Sequence, residues 1–283
     1  MLKQRIITAV VLLALFLPAL FYPAPQPFCA ATLLLIGAAA WEWGRLNGCS
    51  QNVSLALAAI CVALCIVFWS GGLLTQPLGT LWAIGGVAWV LLGGWLLHRG
   101  VAGWPKVPKS VRLTGGIAAL CLAWLALAHS RVTGINFLLS VLLLVWVADV
   151  AAYFAGRAFG CKLVGVRLAP GISPGKSWEG VWGGMLGVAV LALLWVALDV
   201  ARSTTQPSLY TQLASYNTVL LLLAVLFLSA MSVVGDLVES LIKRSAGAKD
   251  SSNLLPGHGG VLDRIDAMLP VLPLALMLTS LWP

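Results

Sequence analysis

From Arg45 to Arg99, and again from Arg202 to Asp236, the chain runs without a charged side chain, and similar uncharged stretches fill much of its length. A helix that crosses roughly 30 Å of hydrocarbon needs about 20 predominantly apolar residues. Runs of that length recur here, bounded by charges or by Pro and Gly. Of 283 residues only 9% are charged and 60% are hydrophobic, whereas a soluble domain carries about 25% charged residues. The sequence therefore describes a polytopic membrane protein. Its runs are too long and unbroken for the roughly 10-residue alternating strands of a barrel. An open sheet edge would leave backbone groups unsatisfied in lipid, so the expected fold class is all-α.

The run boundaries predict nine transmembrane helices, near residues 6–22, 28–43, 53–70, 79–97, 114–128, 136–156, 179–198, 217–242 and 261–281. The first resembles a secretory signal in its charged start and apolar run, but it leads into Pro-rich sequence without a small-x-small cleavage site, so an uncleaved helix is expected. With a cytoplasmic N-terminus, Lys3, Arg5, Arg45, Arg99, Lys106, Lys109, Arg112, Arg157, Lys162, Arg167, Lys176, Lys243, Arg244 and Lys249 all fall on the cytoplasmic side. Only Arg131 and Arg202 fall opposite, with Arg264 at the mouth of the last helix. This bias sets the orientation by the positive-inside rule and accounts for the net charge of +8 without a nucleic-acid partner. The basic loop His98 to Arg112 reads as a linker lying against lipid headgroups.

The six cysteines show no CxxC and no Cys/His pairing, and read as small buried hydrophobes. Cys61 and Cys65 share a helix face. The first part of the chain, residues 1–130, holds one acidic residue, Glu42. It is expected to be scaffold, and residues 131–283 to carry the chemistry.

Charged residues inside apolar helices are costly and mark function. Asp149 lies about eight residues, roughly 12 Å at 1.5 Å per residue, inside the cytoplasmic end of its helix, where a structural pair with Arg157 is the plainer alternative. Asp236, Glu239, Ser240 and Lys243 recur at spacings of three and four and so share one face, which must meet another helix or a watery cavity. Asp263 and Asp266 project together from the start of the last helix, whose dipole favours negative charge. One aspartate would suffice as a cap. Two, opposite Asp236, form a candidate site for a divalent cation with hard oxygen ligands, as Mg2+ requires.

Between these helices lies a glycine-rich connection that includes Lys249, Asp250 and PGHGG (256–260). Its glycines permit close backbone approach, and Lys243, Arg244, Lys249, His258 and Arg264 are cations for phosphate oxygens. Metal, cations and accessible backbone together make the apparatus of phosphoryl or nucleotidyl transfer. Upstream, GISPGKSWEG is one residue short of a P-loop between its first glycine and GK. It reads as a helix start where Lys176 and Ser177 either meet phosphate or merely cap, with Glu179 nearby. Gly180, Gly183, Gly184 and Gly187 then give the small-xxx-small spacing of close helix packing.

The pattern S-x-x-K-R-x4-K-D-x5-P-x-H-G-G-x2-D-R-x-D over Ser240 to Asp266 resembles the signature of the phosphatidate cytidylyltransferases, or CDP-diacylglycerol synthases, of bacterial type. DVAAYFAGRAFG, with Asp149, and SPGKSWEG, with Lys176, are similar to further segments of that family; some relatives carry a lysine where Gly175 stands. The resemblance spans roughly residues 145–281. It implies transfer of CMP from CTP to phosphatidate with magnesium, a homodimer, and a multi-pass enzyme of the bacterial inner membrane with its site facing the cytoplasm. It further implies Asp236, Asp263, Ser240 and Asp266 around the metal, Lys243 and Arg244, Lys249 and Arg264 on the phosphates, and Lys176, His258 and Asp149 at the substrate wall. Two rivals remain at this level: a CTP-dependent lipid or polyprenol kinase, and an ion-coupled transporter, though no repeated half-helices support the latter. A CDP-alcohol phosphotransferase would show DG-x2-AR, which is absent.

Overall fold

The computed structural model describes residues 2–281, with the side chains of Leu2 and Lys3 outside the described part; Lys3, counted above among the cytoplasmic cations, is among these. The helices are α1 (Leu2–Phe21), α2 (Gln26–Leu46), α3 (Gln51–Ser70), α4 (Gly79–Arg99), α5 (Lys109–Thr133), α6 (Ile135–Phe159), α7 (Trp178–Ala201), α8 (Leu209–Tyr216), α9 (Thr218–Ser245), α10 (Leu262–Ile265) and α11 (Met268–Ser280). Eight of them, α1 to α7 and α9, are long and apolar enough to cross a membrane.

Two sequence expectations change. The predicted ninth span, 261–281, divides into the single turn α10 and the 13-residue α11. At 1.5 Å per residue α11 covers about 20 Å, short of a bilayer core. It is apolar all round because it is buried all round: every residue from Leu269 to Leu276 is buried, against α4, α5 and α9. Gly235 of α9 lets this half-length helix begin close by, since a Cβ there would lie 2.6 Å from the Asp266 carbonyl oxygen and 2.9 Å from the Pro270 ring. The chain is also not wholly helical. An antiparallel hairpin, β1 (Arg167–Ala169) with β2 (Ser173–Ser177), stands between α6 and α7, where Pro170 and Pro174 cannot continue a helix.

The closest helix pair is α6 with α7, and the glycine spacing is its cause. A Cβ on Gly184 would lie 2.8 Å from the Ala148 carbonyl oxygen, and one on Gly187 2.7 Å from the Ala151 Cβ, so small residues on both helices let the backbones meet. The basic loop before α5 keeps Lys106 and Lys109 exposed but is anchored by Trp104, which is buried, edge-on to Trp43 at 5.8 Å and beneath the Arg112 guanidinium at 5.6 Å. Folding also brings Cys121 to Cys61 and Cys65, three buried thiols within 4.8 Å of one another. In an apolar interior they pack α3 on α5 as small soft side chains, because thiolates there would leave charge uncompensated.

At the end of α7 opposite the hairpin, Asp199 is satisfied by Asn136, Thr211 and the amide of Ser208. It borders an open cavity of about 580 Å³ that also meets Trp195 and Arg202. Its carboxylate is occupied in holding α8 to α6 and α7.

Candidate active site

At the hairpin end of the bundle the α9 face meets α10. Asp236, Glu239, Ser240 and Lys243 form one stripe as their spacing requires. Ser240 Oγ donates to Asp236 Oδ1 at 3.2 Å. The ammonium of Lys243, 13% exposed, forms ion pairs with Glu239 and, at 2.6 Å, with Asp263, each carboxylate 5% exposed. Two buried anions around one buried cation is an arrangement a protein keeps only with further hydrogen bonds. Asp263 has them: its Oδ2 accepts from the Ser251 amide (2.9 Å), the Ser251 hydroxyl (2.8 Å) and the Gly260 amide (2.7 Å). Burial alone would raise this carboxyl, but the Lys243, Gly260 and Ser251 hydrogen bonds hold it below the usual aspartate range. Asp263 is thus first the anchor of the loop 251–260, and only Oδ1, shared with Lys243, faces away from that loop's donors.

Lys176, at the end of β2, reaches across to Asp236 Oδ2 at 2.5 Å. Its neighbour Ser177 caps α7 by accepting from the Gly180 amide at 3.2 Å. Of the two readings of this segment the cap is seen, at Ser177, while Lys176 is paired with a carboxylate. Glu179 is not the cap's partner; it accepts the amides of Cys161, Leu163 and Val164 and pins the loop after α6.

Among the described residues no ion pair joins Asp149 to Arg157. The charges acting on Asp149 are Asp236, Lys176 and Arg264. Asp266, whose Oδ1 accepts the Ala267 amide at 2.7 Å, stands next to the same group: burial and the negative charge of Asp236 push it up to about 7, with Asp149 adding to the effect. Asp149, Asp236 and Asp266 thus act on one another through their charges, with Lys176 and Lys243 offsetting them, yet they do not close into a ligand cluster. Among the described residues the one trio of acidic, His or Cys groups within 4.8 Å is the thiol trio.

Arg264 donates to the His258 carbonyl at 2.5 Å, closing the turn in which Leu255 and Gly259 are bridged. Gly257 and Gly259 have φ of +77° and +87°, a region that glycine enters without penalty. The His258 Nδ1 is buried without a partner. Arg244 and Lys249 are exposed at the rim, Arg244 near the Ala248 carbonyl at 3.5 Å, and neither joins the central cluster.

One site residue lies outside the segments that motif reading selects. Glu42 of α2 is fully buried and accepts from the Ser251 and Ser252 hydroxyls and the Val261 and Leu262 amides. Its signal in the sequence is its isolation as the sole acidic residue of the first part. That isolation alone names no partner more than 200 positions away.

Helices long enough to span a bilayer, carrying carboxylates and lysines around a glycine-rich loop at one end, define a multi-pass membrane protein with a site suited to phosphate chemistry. The chain matches the model of the Cytidylyltransferase family over residues 3–282 and belongs to that family. It is 38% identical over 295 residues to the phosphatidate cytidylyltransferase of Pseudomonas aeruginosa, covering 100% of this chain and 99% of that one. It is 35% identical over 294 residues to the enzyme of that name from Haemophilus influenzae, covering 96% of each. With the one from Bacillus subtilis the similarity spans 53% of this chain, at 38% identity.

Proposed function

We propose that this protein is a phosphatidate cytidylyltransferase that transfers CMP from CTP to phosphatidate, giving CDP-diacylglycerol and pyrophosphate. The observation that carries the reading is the convergence of Asp149, Asp236 and Asp266 with Lys176 and Lys243 beside a loop that belongs to the 27-residue signature. The charge bias of the flanking segments supports a site on the cytoplasmic side of a bacterial inner membrane. The homodimer implied by the resemblance remains part of the proposal.

The donor set fits magnesium. Ser240 is hydrogen-bonded to Asp236, and the repulsion between Asp236 and Asp266 is the imbalance that a divalent ion relieves. Asp263, named with them on the resemblance, has Oδ1 paired with Lys243 and Oδ2 taken by the loop, so its part is to hold Lys243 and the loop in place. Bound there, the ion would supply charge neutralisation on the triphosphate. The chain's own residues do the rest. Lys176, held by Asp236, is the side chain that a bound nucleotide frees to meet phosphate, and Lys243 keeps the α9 stripe in register with the loop. Lys249, Arg244 and Arg264 line the approach and offset the charge of the departing pyrophosphate. The lipid phosphate is already an oxyanion, so it attacks the α-phosphorus directly: the new P–O bond forms, the bond to the β-phosphate oxygen breaks, and no general base is needed. Catalysis is then positioning and electrostatics.

The test is purified protein in detergent with CTP, phosphatidate and magnesium, following pyrophosphate and CDP-lipid. Both products in equal amounts are expected. Release of CDP with a phosphorylated lipid would indicate a kinase, and absence of CDP-lipid above a no-enzyme control would reject the assignment.

A further inference from the structure

The carboxylate of Glu42 gathers four donors from a segment more than 200 residues away. The Ser252 hydroxyl lies at 2.5 Å, the Ser251 hydroxyl at 3.2 Å, and the Val261 and Leu262 amides at 2.9 and 2.7 Å. Both ends of the loop 251–262 therefore close on one side chain of α2. Ser251 stands between Glu42 and Asp263, its hydroxyl within reach of both, so the two carboxylates grip the same residue from opposite sides. Gly260 makes this possible, since a Cβ there would fall 2.5 Å from Glu42 Oε1. The outer turn is held by α1: Arg5 Nε donates to the Gly257 carbonyl at 2.8 Å and Thr8 Oγ1 to the Pro256 carbonyl at 3.0 Å.

We infer that Glu42 is a positioning residue for the nucleotide site. It fixes the loop that carries His258 against the α9 carboxylates, with Arg5 and Thr8 bracing the loop's far side. The first part of the chain thereby takes a share in the reaction without touching substrate. A buried carboxylate with four neutral donors costs little only while all four are present. This makes it a strong geometric constraint and a poor site for substitution. The inference rests on the proposed function in one respect, that the loop meets the triphosphate.

The test uses full-length protein in detergent. Glu42→Gln keeps the shape but turns an NH2 donor toward groups that are themselves donors. It should lower kcat/KM for CTP by about tenfold to a hundredfold while leaving KM for phosphatidate within about twofold. Backbone hydrogen exchange over 251–262 should accelerate, with α6 and α7 unchanged. Leu125→Ala, in the buried core of α5, serves as a destabilised comparison that lowers the thermal midpoint without changing kcat/KM for CTP per folded molecule. If Glu42→Gln behaves like Leu125→Ala, or leaves kcat/KM for CTP at the wild-type value, the inference is wrong. Should Glu42→Gln fail to fold, Ser252→Ala and Arg5→Ala must each shift kcat/KM for CTP in the same direction, and no shift in either overturns the inference. An inactive wild type would reject the enzymatic reading instead, and the exchange measurement would still decide whether Glu42 holds the loop.

Discussion

Asp263→Asn removes a charge while preserving volume, and the structure allows its effect to be worked out. The asparagine oxygen can take the place of Oδ2 before the Ser251 amide, Ser251 hydroxyl and Gly260 amide. Its NH2 then faces the Lys243 ammonium, donor against donor, where a 2.6 Å ion pair stood. A hydrogen bond to a charged group contributes about 1.5–3 kcal/mol, and charge-assisted bonds are roughly twice as strong as neutral ones, so the three loop bonds also weaken. Lys243 keeps Glu239, which limits the loss to about 3 kcal/mol, below the roughly 3–5 kcal/mol of a fully broken buried pair. The folded carboxyl is held below its ordinary range. Its stabilisation is therefore fully present above the unfolded value and disappears only as pH falls through the lower folded one. The variant should unfold earlier than wild type across neutral pH, with the gap closing only in acid below the usual aspartate range, and CDP-lipid synthesis should fall at least about a hundredfold. Thermal unfolding in detergent, followed by tryptophan fluorescence from pH 3 to 8, and turnover at saturating substrates measure both. A variant with wild-type turnover, or a stability gap that shrinks already near neutrality, would refute the account.

Other outcomes follow from the same contacts. Asp236→Asn should raise the magnesium concentration for half-maximal activity by at least about tenfold, whereas Asp263→Asn should mainly lower kcat; equal shifts in a magnesium titration would return Asp263 to the metal. Lys176→Ala should raise KM for CTP and reduce kcat, since it removes the cation paired with Asp236, and a steady-state analysis showing only a phosphatidate effect would reject that role. Gly184→Val forces a side chain against the Ala148 carbonyl and should lower the thermal midpoint through α6–α7 separation, at a cost of about 1–3 kcal/mol. Trp104→Ala should destabilise by about 3–5 kcal/mol, because the ring is buried against Trp43; an unchanged midpoint in the same unfolding assay would show that the ring does not anchor the loop.

Sequence alone determined the properties that depend on local order. Apolar run length makes a membrane-spanning helix wherever it occurs, so seven of the nine predicted spans reappear as α1 to α7 and an eighth as α9. Helical spacing placed Asp236, Ser240 and Lys243 on one face, and the glycine series foretold the α6–α7 contact. Those inferences need no knowledge of distant residues. Tertiary structure decided what depends on neighbours in space. The last span became a buried half-length helix because α4, α5 and α9 enclose it. Lys176 found Asp236, Asp149 was left without an ion pair to Arg157, and Cys121 completed a thiol trio whose third member the sequence left unlinked. Glu42 is the clearest instance. Read along the chain it is one carboxylate in an apolar helix; folded, it is the acceptor on which both ends of the signature loop close. A buried carboxylate is tolerated only where donors surround it, and those donors came from the far end of the chain.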